Sequence, residues 1–205
     1  MSVTAKVLTT ALLLVSFQLN AQTVTANSNE SFFSKNQKFD NEGVELYSSN
    51  LELKKHKKFG VGLSLGGSSG QLGLSGELNL DPENALVIGL GTGPSYGTFN
   101  LLYKYNYEAK YISPYAKFGY SKWFKASNNS TSAQTSDVLK SIYSDKDLKA
   151  GNFDADFFVS GLGAEYNQLE GQLSGVNFYG EVVLLTEIKS AKMVPTGAVG
   201  LIYFY

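Results

Sequence analysis

The sequence of 205 residues has no cysteine, no arginine, one histidine, one tryptophan and four prolines. Without cysteine there is no disulfide framework, no thiolate metal site and no lipidated anchor. All 17 basic residues are lysine, so no guanidinium fork is available for bidentate phosphate or carboxylate recognition. A formal net charge of -1 removes the basic face that nucleic-acid binding requires. Charged residues make up 17% of the chain, against roughly 25% in an average soluble domain. That deficit argues against an ordinary cytosolic enzyme and equally against a disordered tail. Long apolar runs are missing too. Beyond the first 21 residues the densest is Val182-Val183-Leu184-Leu185, flanked by Glu181 and Glu187, far short of the ~20 residues of a spanning helix. A chain of this kind crosses a membrane only as strands.

What the sequence does contain is glycine (21), tyrosine (13) and phenylalanine (13), laid out with period two. In FGVGLSLG, Phe59, Val61, Leu63 and Leu65 share one face, and Gly60, Gly62, Ser64 and Gly66 the other. Leu72, Leu74, Leu78 and Leu80 oppose Gln71, Gly73, Ser75, Glu77 and Asn79. Phe99, Leu101, Tyr103, Tyr105 and Tyr107 alternate with Thr98, Asn100, Leu102, Lys104 and Asn106. Alternation of this quality marks strands with one apolar face. Eight such segments are expected, at 58–66, 70–80, 85–93, 98–108, 111–124, 153–167, 176–188 and 194–205. Residues 1–21 read as a secretory signal peptide, with Lys6 at its start, an apolar stretch from Val7 to Phe17 and Ala21 at the cleavage position. Residues 22–56 are polar, and the charged run LELKKHKK (51–58) spans their end. They read as a partly disordered lead-in with a solvated basic cluster. Residues 57–205 form the barrel.

Two barrels share this alternation with opposite sense. A lipocalin-like barrel turns its apolar face inward; a membrane barrel turns it outward, with aromatic girdles at both rims. Here the polar face is small and rich in glycine, with few charges, as a narrow interior demands. The tyrosines gather near strand ends (Tyr103, Tyr105, Tyr107 and Tyr111, then Tyr203 and Tyr205), where an interfacial belt sits. The fold class expected is therefore all-β: a closed, antiparallel, up-and-down transmembrane β-barrel of about eight strands.

The chain ends VGLIYFY, with Leu201, Tyr203 and Tyr205 on one face. This resembles the terminal strand of bacterial outer-membrane barrels, and the region from Lys57 to Tyr205 is similar to the small eight-stranded barrels of the opacity type and the outer-membrane-protein-A type. The resemblance implies a place in the bacterial outer membrane, contact with outer-membrane lipid, and recognition of the Leu201, Tyr203 and Tyr205 face by the outer-membrane insertion machinery. Tyr205 departs from the usual terminal phenylalanine. The resemblance also implies that 22–56 is periplasmic, that even-numbered connections are short periplasmic turns, and that the longer odd-numbered ones face outward. The longest, near 125–152, contains SDVLKSIYSDKDLK, which suits a short helix.

With these faces, Glu77, Lys104, Lys117 and Glu181 point into the lumen at one level. Unpaired buried charges are costly, so two carboxylates and two ammoniums there should pair. They form either a polar plug or a gate, and the plug is favoured because eight strands leave an interior just filled by side chains. Enzyme chemistry finds little support. The single histidine, His56, lies in KKHKK ahead of the first strand, away from any nucleophile. Asp145, Asp147, Asp154 and Asp156 read as loop acids before they read as calcium ligands, and GTGPSYG lacks the lysine and helix of a phosphate loop. The reading is a non-enzymatic barrel without cofactor, metal or nucleic-acid partner, serving envelope structure or contacting a surface ligand through loop 125–152. The alternatives are a narrow porin or conduit for a small solute or apolar compound, and a secreted lipocalin-like lipid-binding barrel.

Overall fold

A computed structural model describes residues 49–126, 136–150 and 153–205. The expected signal peptide, most of the lead-in and the middle of the long loop lie outside the described residues. The chain enters through a short helix, α1 (Glu52–His56), and then runs through eight strands: β1 (Phe59–Gly66), β2 (Leu72–Asn79), β3 (Asn84–Gly93), β4 (Tyr96–Asn106), β5 (Ser113–Lys125), β6 (Asp154–Asn167), β7 (Val176–Glu187) and β8 (Met193–Phe204). Two helices, α2 (Asp137–Ile142) and α3 (Asp145–Ala150), lie in the connection between β5 and β6. Each strand pairs antiparallel with its chain neighbour, and β8 closes on β1 through pairs such as Leu63↔Leu201. Closure leaves no edge strand for aggregation. Among the described residues no helix is long and apolar enough to cross a membrane.

The wall is apolar outside and mostly polar inside. Leu63, Leu74, Ile88, Leu101, Phe118, Leu162, Val182 and Val199 are exposed on the outer face, with Leu162 and Val182 at 70% and 68%. Ser64, Glu77, Asn100, Lys104, Glu165 and Asn177 are buried on the inner one. A soluble lipocalin-like barrel requires the opposite arrangement. An apolar surface that runs round the whole molecule fits hydrocarbon, because closed barrels satisfy every backbone group within the wall. This is a transmembrane barrel.

For clarity, the base is the end where α1 enters and β8 leaves, and the crown is the end that carries α2 and α3. At the base Tyr103 donates to Asn84 Oδ1, Tyr105 to Glu83 Oε2 at 3.2 Å and Tyr166 to Gln168 Oε1 at 3.0 Å. Rings thus lie on the apolar band while their phenols reach polar groups beyond it, as belt tyrosines do. Interior glycines make room for inward aromatics. A Cβ on Gly60 would stand 2.6 Å from the Phe204 ring, and one on Gly163 2.5 Å from Tyr115.

The expected parity of connections holds for one loop only. The base connections at 80–83, 107–112 and 168–175 are short, but the crown connection at 94–95 is shorter than any of them. The length difference rests on the β5–β6 insert. The first crown connection does not reach outward either: Gly67–Ser69 forms a 3-10 turn whose Gly67 and Ser68 are buried in the barrel mouth.

Candidate functional site

The base half of the lumen is built on a repeated strand ending. Three strands that run toward the base finish in a charged residue, an outward residue and asparagine: Glu77-Leu78-Asn79, Lys104-Tyr105-Asn106 and Glu165-Tyr166-Asn167. Period two sends both the charge and the asparagine inward. The segment before β1 folds into the space these endings surround. Its Asn50 donates from Nδ2 to Ser113 Oγ (3.0 Å) and to the Glu165 carbonyl (3.1 Å), and it accepts from Asn167 N and Asn167 Nδ2, each at 2.8 Å. The Asn50 N–H donates to the Ala109 carbonyl at 2.9 Å. At the far end of the segment the Lys57 carbonyl accepts from Asn79 Nδ2 at 3.1 Å, and the Lys58 carbonyl from Asn79 N at 2.8 Å. Between these anchors Leu53 packs on Ile202 and Phe204.

This placement puts Lys54, 0% exposed, at the middle of the base. Its ammonium lies 2.8 Å from Glu77 Oε1 and 2.7 Å from Glu165 Oε1. Lys104 meets the other oxygen of each carboxylate, Glu77 Oε2 at 3.0 Å and Glu165 Oε2 at 2.6 Å. Charges therefore alternate round a closed square, and every carboxylate oxygen takes one ammonium. Ions this deeply buried persist only when each is both paired and hydrogen-bonded.

A second pair stands beside the square. Lys117 Nζ meets Glu181 Oε1, and Tyr115 donates to Glu181 Oε2 at 2.7 Å. Lys104 and Lys117 are direct partners in the β4–β5 register, a like-charge juxtaposition that would be unfavourable alone. The two stems diverge, Lys104 to Glu77 and Glu165, and Lys117 to Glu181. The sequence reading thus placed Glu77, Lys104, Lys117 and Glu181 in one cluster, and the structure divides them between two. It also adds Lys54 and Glu165, which that reading missed. The strand-ending repeat was the available signal for Glu165. Lys54, read as part of a solvated run, is fully buried because α1 enters the barrel instead of trailing from it.

Against the ion pairs lies a cavity of about 40 Å³ whose lining includes Glu77, Lys104, Lys117 and Glu181 as well as Ser64 and Asn100, room for a few water molecules. Above that the interior turns apolar, which the sequence reading did not expect. Trp123 stacks on Tyr96 with ring centroids 4.8 Å apart and meets the edge of Phe157 at 5.6 Å. Ala155, Val159, Val183 and Leu185 complete the layer, and Leu139 of α2 is buried against it. The Trp123 indole donates to the Ser68 carbonyl at 3.1 Å, tying the inward 3-10 turn to the wall. Lys192 in the last turn donates to the Ser141 and Ile142 carbonyls at 3.3 and 3.2 Å, holding the end of α2.

The remaining candidates lie apart from the lumen. His56 is at the solvent edge of α1, 3.4 Å from Glu52 Oε1. Asp154 and Asp156 sit on the outer face at the crown, where Lys122 lies 3.1 and 3.5 Å from them. Asp147 accepts from Ser144 Oγ at 2.6 Å. Among the described residues no group of three acidic or imidazole side chains is placed to hold a metal ion. Leu201, Tyr203 and Tyr205 line the outer face at the base, with Tyr205 edge-on to Phe59 at 5.4 Å.

No family model and no curated protein matches the chain. Among solved structures it is similar to the N-terminal β-barrel domain of Pseudomonas aeruginosa OprF, with a TM-score of 0.50 and 11% sequence identity, over 73% of this chain and 98% of that domain. At that identity the likeness is one of fold, a β-barrel, which in this chain closes with eight strands.

Proposed function

We propose that this chain is an integral outer-membrane barrel with a closed lumen, that it performs no catalysis, and that it acts in envelope structure or surface contact through the β5–β6 insert. The observation that carries this reading is the filling of the lumen at both ends, with a small polar cavity between. A peptide plug and an ion-pair square occupy the base, and an aromatic layer capped by α2 occupies the crown. The apolar outer wall supports the membrane, and closed barrels with aromatic rims are the strand architecture of outer membranes. The base belt and the Leu201, Tyr203 and Tyr205 face suit insertion from the side of the chain termini. A narrow porin needs a continuous wet path, and the stacked layers of side chains speak against one.

Outer-membrane fractions run unboiled and boiled, followed by planar-bilayer recording of the purified barrel, test the reading. The expected result is a band that shifts on boiling and a bilayer without unitary steps. Steps that scale with salt concentration would replace the closed barrel with a porin. Recovery in the soluble periplasmic fraction would remove the membrane.

A further inference from the structure

Three of the four strands that run toward the base bring their own charge to the square, and the fourth does not. Where β2, β4 and β6 end in Glu77, Lys104 and Glu165, β8 ends in Ile202 and Phe204, both buried. The wall alone therefore presents two carboxylates to one ammonium in the square, while Lys117 and Glu181 cancel each other nearby. The deficit is one positive charge, at a corner whose floor is apolar. We propose that the base of this barrel is a binding site for a primary ammonium group on an alkyl stem, filled in this chain by its own Lys54, so that the segment 49–58 is a tethered ligand of the barrel.

The recognition set belongs wholly to the wall. Glu77 Oε1 and Glu165 Oε1 bind the ammonium at 2.8 and 2.7 Å, and the Phe204 ring lies 5.5 Å from it. A compact ammonium with three donors suits two converging carboxylates and an aromatic face better than a planar guanidinium does. The ligand's remaining attachments use other groups than the two carboxylates, although Leu53 packs on the same Phe204 ring. Asn50 binds Ser113, Glu165 and Asn167 on one side, and the Lys57 and Lys58 carbonyls bind Asn79 on the other. A tether of this kind holds a modest ligand at high effective concentration. An alkylammonium ion, or a lysine side chain from another segment, has the chemistry to take the same corner when Lys54 is absent. This inference concerns the base alone and does not depend on whether the lumen conducts.

Replacing the stem tests it. Lys54→Ala in the full chain, folded in detergent, is expected to lower the midpoint of the heat-shift gel by about 10 °C, the size expected when a buried ion loses its partner in a chain of this length. Butylammonium chloride in the millimolar range should restore the midpoint saturably, while butanol and sodium chloride at matched concentration should not. If Lys54→Ala does not fold alone, the same three additives are compared by refolding yield. Lys54→Met fills the stem channel without a charge, so butylammonium should leave it unchanged. The proposal is overturned if Lys54→Ala melts with the parent, if butylammonium raises neither its midpoint nor its refolding yield, if butanol or sodium rescues as well as butylammonium, or if Lys54→Met is rescued too.

Discussion

The two halves of the lumen share one continuous wall yet are filled by opposite chemistry. The base carries Lys54, Glu77, Lys104 and Glu165 in a closed square beside the Lys117–Glu181 pair. The crown carries Trp123, Tyr96, Phe157, Val159, Val183 and Leu185, a layer that would suit the core of a soluble domain. Both depend on a segment that is not part of the wall. At the base α1 contributes a charge, and at the crown α2 contributes Leu139. The difference teaches that a narrow membrane barrel has no obligatory polar interior. What it requires is that buried charge be paired, and both fillings meet that requirement, although the inward amide of Asn106 and the Thr98 hydroxyl find no partner among the described residues. The energetics differ accordingly. Apolar filling stabilises by burial and tight packing. Ion pairs roughly offset their own desolvation, and become strongly unfavourable only when one member is lost.

The largest single effect should therefore come from the crown. Trp123→Ala removes a fully buried ring together with its stack on Tyr96 and its hydrogen bond to Ser68. It should cost about 4 kcal/mol, as large-to-small core substitutions do, read as a lower denaturant midpoint by the heat-shift gel. A midpoint close to the parent's would show that the crown layer is not a core. Next comes the base. Lys104→Met leaves Glu77 and Glu165 sharing Lys54 alone, at a cost of about 3 kcal/mol, whereas Lys146→Met on the exposed side of α3 should stay within about 0.5 kcal/mol. Equal midpoints for these two variants would dissolve the square as an energetic unit. Leu139→Ala should cost about 2 kcal/mol, and its signature is local. Trp123 is the single tryptophan of the sequence, so loosening the cap should raise acrylamide quenching of its fluorescence while the barrel still resists detergent. Loss of the heat shift together with the quenching change would show that crown and wall open as one unit.

The wall was plainly legible in the sequence, because one-face alternation survives wherever the other face is small. Segments expected at 58–66 and 176–188 appear as Phe59–Gly66 and Val176–Glu187. The crown was less so. In β6, Phe157 and Val159 point inward while Phe158 and Leu162 point outward, so both faces are apolar and period two vanishes. Glu165, further along the same strand, was lost with it. Lys54 was hidden for a different reason. Nothing in KKHKK distinguishes a lysine bound for the lumen from its solvated neighbours, since the selection is made by three-dimensional anchors: Asn50 binds Glu165 and Asn167, and Asn79 holds the Lys57 carbonyl, each across a long stretch of chain. The register of β4 and β5 likewise sets Lys104 against Lys117, a detail that decides the division into two clusters and that no single strand reveals.

The smallest effect sharpens the comparison from outside the wall. In the β2–β3 turn, Asp81 accepts from Asn84 Nδ2 at 2.9 and 2.8 Å, from Asn84 N at 2.8 Å and from Glu83 N at 2.9 Å. These bonds, the Asn84 side chain first, hold its carboxyl below the usual carboxylate range. A depressed folded value means that the bonded carboxylate stabilises the folded state above the unfolded pKa, and that this contribution fades as pH falls through the folded one. Asp81 is exposed, so water screens the effect to a few tenths of a kcal/mol. Asp81→Asn should accordingly match the parent in strongly acid solution and fall slightly below it at neutral pH, read as the difference in denaturant midpoint across the carboxylate range. A difference as large as that of Lys104→Met would mean that a charge at the turn matters as much as one in the lumen, and the contrast between buried and exposed ions in this barrel would fail.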